Sequence, residues 1–188
     1  MTKVNRQAVV AEALDLLDEV GLDAVSTRRL AARLGVEQPS LYWHFRTKAD
    51  LLAAMAAEAM TPHATEPLPA PGDDWRAWFL DNARSFRNTL LARRDGARLH
   101  AGSTPVADLD RLRHKMRFLV ESGVPEPDAR MAMLASSRFT VGCVLEEQAG
   151  AGGAADLPAD VPVLDHGEAF EAGLALILDG LTSRTAVA

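Results

Sequence analysis

The chain has 188 residues, a mass of 20.2 kDa, 48% apolar and 24% charged side chains. Those proportions exclude a disordered tail, a fibrous repeat and a membrane-embedded chain, and the length suffices to hide about 70% of the unfolded surface. Cys143 is the sole cysteine, so no intrachain disulfide forms, and the formal net charge of −6, taken as a total, argues against a general nucleic-acid binder.

In chain order, Val9, Val10, Ala13, Leu14, Leu17 and Val20 recur at helical spacing and predict a first helix that ends at Gly21. Glu12, Asp15, Asp18 and Glu19 fill its opposite face. Ser26 reads as the N-cap of a short helix over 26–34 that turns Leu30, Ala31 and Leu34 inward. Gly35 supplies the positive φ that stops it. Pro39 suits the first turn of the next helix, 38–44, because its missing N–H would be unpaired there. Thr47 and Asp50 form a capping-box pattern before Leu51, Leu52 and Met55. Pro62, Pro67, Pro69, Pro71 and Gly72 interrupt the helical run and mark a domain boundary. Longer helices are predicted over about 74–93, 106–122, 127–148 and 168–181, with a Gly/Pro/Ala-rich loop over 149–167. No stretch sustains strand alternation and no segment repeats. The fold class is all-α, a small N-terminal unit followed by a larger C-terminal bundle.

Charge is unevenly spread along these elements. From Ser26 to Lys48, Arg28, Arg29, Arg33, Arg46 and Lys48 face the single acid Glu37, giving +4, whereas 145–188 carries −7. A basic N-terminal patch on an acidic body suits a protein that meets phosphates with one face. The two short helices joined at Gly35 make a helix-turn-helix. Leu41 and Phe45, four residues apart, point inward and leave Gln38, Pro39, Ser40, Trp43 and His44 near the outside. A recognition helix reads base edges from its N-terminal end, so Gln38 is placed for an adenine and Pro39 for a thymine methyl. Arg28 reaches toward a guanine, while Thr27, Tyr42, His44 and Lys48 hold phosphates. The competing reading is a helical hairpin whose aromatics form a protein-partner surface.

The run from Ser26 to Phe45, STRRLAARLGVEQPSLYWHF, closely resembles the DNA-binding domain of the tetracycline-repressor (TetR) family. Two further segments, RNTLLARRDGA from Arg87 and FTVGCVLE from Phe139, resemble the branch that includes the tetracycline repressors themselves. The resemblance runs from about Asn5 to Gln148, weakens in the loop and returns in the last helix. It implies an N-terminal three-helix helix-turn-helix DNA-binding domain over 1–48, a connecting helix and linker over 49–66, and a C-terminal helical ligand-binding and dimerisation bundle over 67–188. It also implies a cytoplasmic bacterial repressor, nucleoid-associated when bound to operator. Helices 127–148 and 168–181 would build a homodimer that presents two recognition helices to a palindromic double-stranded operator. A monomer core is the competing reading of their apolar faces. A small effector in the C-terminal core would release the DNA.

By the same resemblance Asn82 and Phe86 match drug-contacting positions, although a lone amide on the stripe of Trp75, Phe79 and Phe86 also reads as a core polar group. His63 and His100 match histidines of the drug site, and His100 matches the one that coordinates the drug's magnesium. Ser103 stands where those repressors carry threonine. Glu146 matches the glutamate that contacts magnesium-bound water. One imidazole and one carboxylate do not make a hard-cation site unaided, so no cofactor is obligatory and Mg²⁺ would enter only with a chelating effector. Three positions depart from the pattern: Ala64 replaces a second histidine, Lys115 a glutamine and Arg138 a histidine. Lys115 and Arg138 favour an anionic ligand, unless they reach solvent or pair with Glu146 and Glu147. The expected effector is a polycyclic natural product or metabolite, favoured over tetracycline itself.

Other classes fit less well. The histidines, His44, His63, His100, His114 and His166, show no metal-ligand spacing, and no nucleophile–base pair or phosphate loop occurs, so an enzyme is not expected. Cys143 has no cationic sequence neighbour and reads as a buried small residue at a helix interface. The alternative that stands is a DNA-binding regulator or architectural protein without a small-molecule effector. No membrane partner is expected.

Overall fold

A computed structural model describes residues 5–103, 108–150 and 165–185. Among these residues every regular element is helical, in two compact units. The first unit comprises Met1–Ala64 with Thr89–Val106, and the second Thr65–Asn88 with Ala107–Ala188.

The first unit contains α1 (Arg6–Val20), a 3₁₀ turn (Leu22–Ala24), α2 (Thr27–Leu34), α3 (Gln38–Leu41), α4 (Lys48–Ala59) and α5 (Thr61–Ala64). The chain passes to the second unit and returns along α6 (Trp75–Leu91), whose last turn precedes α7 (Gly96–Ala101). α1 begins where Asn5 Oδ1 accepts from the N–H of Ala8 at 2.8 Å. It buries Val9, Val10, Ala13, Leu14, Leu16 and Leu17 against Leu30, Leu41, Phe45, Leu51, Met55 and Leu99. α2 is only eight residues long and too short to persist alone, so the α1 platform holds it. Fully burying Leu14, Leu17 and Leu30 contributes about 1.5–3 kcal/mol each before the entropy of ordering is charged against it.

The second unit packs most of α6 with α8 (Leu109–Glu121), α9 (Glu126–Gly150) and α10 (His166–Thr185). Trp75, Phe79, Phe118, Leu119, Phe170, Leu174 and Leu181 form its core. Phe139 stacks on Phe170 with ring centroids 5.7 Å apart. Arg84 grips Glu171 with Nη2 at 2.7 Å and Nε at 3.0 Å, tying α6 to α10. Arg87 donates to Glu147 at 2.6 Å, tying α6 to α9.

Five expectations need correction. Helix α3 covers Gln38–Leu41 and not 38–44: Tyr42 and His44 bond back three residues, to the Pro39 and Leu41 carbonyls, so the chain continues as turns up to the buried Phe45. The long helix ends at Leu91 and not at 93. Asp95 takes φ 54°, and Gly96 lies so close to Leu90 that a Cβ there would sit 2.1 Å from its carbonyl oxygen. The separate helix α7 follows, which the pattern of good helix formers hid. Within the predicted proline break, Thr61–Ala64 still makes one turn, since Pro62 needs no N–H partner so near a helix start. Cys143 is half-buried, not buried. Helix α9 extends to Gly150 and α10 begins at His166, so both enter the predicted loop; residues 151–164 of that loop, and the predicted helix start at Val106, lie outside the described residues.

Candidate functional site

The head of the first unit is built from caps. Ser26 Oγ accepts from the Arg29 N–H at 3.3 Å and starts α2; Gly35, at φ 65°, ends it. The Thr47–Asp50 capping box is formed in both directions at 3.0 Å and starts α4. Between them the short α3 presents Pro39 and Ser40 to solvent. Trp43 is 89% exposed and Tyr42 49%, although an indole would otherwise be buried. His44 is half-exposed, and Arg28 and Lys48 are exposed.

Gln38 and Thr27 meet directly. Gln38 Nε2 donates to Thr27 Oγ1 at 2.9 Å, which orients the amide from the neighbouring helix. Sequence reading placed both residues on the interface but missed the bond. Arg33 departs from its assigned place in the basic patch. It pairs with Glu12 and Glu19 on α1, which hold it protonated and hold the Glu19 carboxyl below the usual carboxylate range. Arg28, Arg46 and Lys48 stay exposed, and Arg29 Nη1 donates to the Ala24 carbonyl at 3.4 Å.

A second constellation in the same unit was not foreseen. The segment after α6 clasps the end of α1 and the turn that follows. Arg93 pairs with Asp18 at 2.5 Å, and Asp18 also accepts from the Arg94 N–H at 3.0 Å. Arg94 Nη1 donates to the Glu19 carbonyl at 2.9 Å. Asp95 Oδ2 accepts from the Leu22 N–H at 2.8 Å, and Arg98 bridges Asp23 at 2.9 Å and Asp95 at 3.3 Å. Partners some 75 residues apart leave no local periodicity, so only the RRDG run hinted at them.

The residues assigned to an effector fall in both units. His63, His100 and Ser103 belong to the first. Ser103 Oγ donates to the Leu52 carbonyl at 3.4 Å on α4. His100 is half-buried, and burial pushes its pKa below the ordinary imidazole value. It lines a cleft with Met60, Thr89, Leu90 and Leu99 that has room for about one water molecule. Asn82, Phe86, Lys115, Arg138 and Glu146 belong to the second unit. Phe86 is buried, whereas Arg138 and Glu146 are exposed. Lys115 neither reaches solvent nor pairs with Glu146 or Glu147; its Nζ donates to Asn82 Oδ1 at 2.6 Å. Arg87 takes Glu147 instead. Among the described residues no three His, Cys, Asp or Glu side chains gather as metal ligands. Among the described residues no helix is long and apolar enough to cross a membrane.

Residues 9–55 match the family described as bacterial regulatory proteins, tetR family, and residues 68–167 match the tetracyclin repressor-like C-terminal domain. The chain is 47% identical to the class A tetracycline repressor protein from transposon 1721 of Escherichia coli, over all of this chain and 94% of that one. It is similar to the structure of SCO0253, a TetR-family transcriptional regulator from Streptomyces coelicolor, with 71% identity, a TM-score of 0.78 and 97% of each chain covered. It is also similar to the class A TetR in complex with 5a,6-anhydrotetracycline and magnesium, with 46% identity, a TM-score of 0.80, and 94% and 96% of the two chains covered.

Proposed function

Because the chain belongs to the TetR family of bacterial regulatory proteins, transcriptional regulators and not enzymes, we propose that it represses transcription as a homodimer on a palindromic operator and is released by a small-molecule effector. The observation that carries the DNA-binding half is the oriented Gln38 amide at the start of α3, beside exposed Pro39, Ser40, Tyr42 and Trp43. Gln38 reads a base edge, Pro39 and Trp43 make apolar contact, Arg28 reaches a guanine, and Thr27, Tyr42, His44 and Lys48 hold phosphates and set register.

The dimer reading is supported by Met131 and Leu134 on α9 and Leu176 on α10, which stand 55%, 40% and 73% exposed on the single chain. A two-fold pairing of these helices would cover them and place two heads on successive half-sites. The effector reading is supported by the polar pair Asn82–Lys115 set among aromatic residues, and by the relative that carries a drug with magnesium. The resemblance extends the effector reading to His63, His100, Ser103, Arg138 and Glu146, with Mg²⁺ entering only as part of a chelating effector. Release requires the effector to favour the non-binding state by about 1–3 kcal/mol or more. The test is a gel shift on a palindromic fragment, with and without effector. Sequence-specific retardation supports the regulator, and retardation of scrambled DNA with equal affinity rejects it.

A further inference from the structure

Lys115 is a buried cation without an anion among the described residues. Only 8% of it is exposed, and among the described residues no aspartate or glutamate pairs with it. The ammonium has three donors, and its hydrogen bond is to the Asn82 carbonyl oxygen. Because a lysine can only donate, the Asn82 amide must turn its oxygen toward Nζ, which leaves its NH₂ as a further donor beside the ammonium. The pair thus offers more donors than acceptors. The neighbouring charge is also positive: burial first, and then the like charge of Arg111 one turn away, push the Lys115 pKa down to about 8. Arg111 itself donates to the Glu66 carbonyl. A fold that needed only packing here would be served by a leucine or methionine, since an uncompensated buried charge is costly.

The surroundings of the pair are aromatic. On α6, Phe79 and Phe86 lie one turn to either side of Asn82, and on α8 Phe118 lies one turn after Lys115. Trp78 meets Phe118 edge-on with centroids 5.2 Å apart. Arg138, the other cation that the sequence offers for an anion, is exposed and not part of this cluster.

We propose that the effector is an aromatic carboxylate whose anionic oxygens take hydrogen bonds from Lys115 Nζ and Asn82 Nδ2, with its ring among these aromatic side chains. This rests on the reading of the chain as an effector-released regulator and specifies the chemistry of that effector. The carboxylate supplies the missing counter-charge and accepts the surplus donors. A neutral compound of the same shape leaves the ammonium buried and unpaired.

The test uses the full chain with two matched probes, anthraquinone-2-carboxylate and its neutral carboxamide, by titration calorimetry and by operator gel shift. The wild type is expected to bind the acid at least tenfold more tightly than the amide. Lys115→Gln should lose at least tenfold on the acid and stay within threefold on the amide. Lys115→Met, which removes the buried charge, serves as a second variant whose melting temperature reports folding, and it should lose the acid preference too. Equal affinities for acid and amide, an acid preference that survives Lys115→Gln, or no binding of either probe would each overturn the proposal. Operator release by the amide as readily as by the acid would overturn the anion alone and leave the regulator standing. Failure to bind operator before any probe is added would instead remove the regulator reading, while the calorimetric preference still judges the anion site.

Discussion

The Asp95 carboxylate accepts a 2.8 Å hydrogen bond from the backbone N–H of Leu22, across 73 residues of sequence. Leu22 opens the turn between α1 and α2, and Asp95 immediately precedes α7. Arg93, Arg94 and Arg98 add contacts to Asp18, the Glu19 carbonyl and Asp23 on either side of it. The helix-turn-helix is therefore gripped by the segment into which α6 runs, and Asp95 stands at the centre of the grip.

Asp95→Ala removes the acceptor of the Leu22 N–H and places alanine at a φ of 54°, which aspartate tolerates better. The expected loss is about 1–3 kcal/mol, read as a lower urea midpoint with unchanged slope. An unchanged midpoint would mean that water replaces the bond without cost.

Gln38→Ala should weaken operator binding by about 1–3 kcal/mol and relax the preference at one base pair. Thr27→Val removes the acceptor that orients Gln38 and should cost about 1 kcal/mol with the same relaxation. Competition binding against single-base operator variants reads both. Full retention of affinity and preference in Gln38→Ala would move the reading surface elsewhere.

Arg33 and Lys48 should differ in the salt dependence of binding. Arg33 is held by Glu12 and Glu19, so Arg33→Ala should leave the slope of log K against log salt unchanged. Lys48→Ala should reduce that slope by about one unit. A slope that falls equally in both variants would return Arg33 to the phosphate-binding set.

Lys115 makes a pH prediction. Its folded pKa is pushed down to about 8, below the unfolded value of 10.5, so between these values the unfolded chain binds more protons and stability rises with pH. Below about 8 the full cost of burying the charge is present. Lys115→Met should raise the melting temperature at pH 7 and flatten the rise between pH 8 and 10.5. A lower melting temperature in the variant at pH 7 would show the ammonium to be well compensated.

Much of this fold was legible because caps and periodicity are local signals. Ser26, Gly35, Thr47 and Asp50 mark helix ends by their own chemistry, and each does so in the structure. The inward pair Leu41 and Phe45 was likewise visible from its spacing. Residues that act through distant partners were not legible. Arg33 counted as free positive charge until Glu12 and Glu19 came alongside it. The end of α6 was overrun because Ala92 and Arg93 favour helix, while the Leu90–Gly96 approach that stops it is a tertiary constraint. Lys115 stood out only through the resemblance, as the replacement of a glutamine; on a helix that also carries Arg111, Arg113 and Arg117 its burial left no local signal, and its pairing with Asn82 depended on how α6 and α8 pack.

Fluorescence anisotropy of the full chain on a labelled palindrome from its own upstream region, against a scrambled duplex at about 0.15 M salt, tests the central claim most directly. The account predicts at least about a thousandfold tighter binding to the palindrome, with two chains per duplex. Equal affinity for the two duplexes, falling steeply with salt in both, would contradict it and leave only a basic surface that meets phosphates without reading sequence.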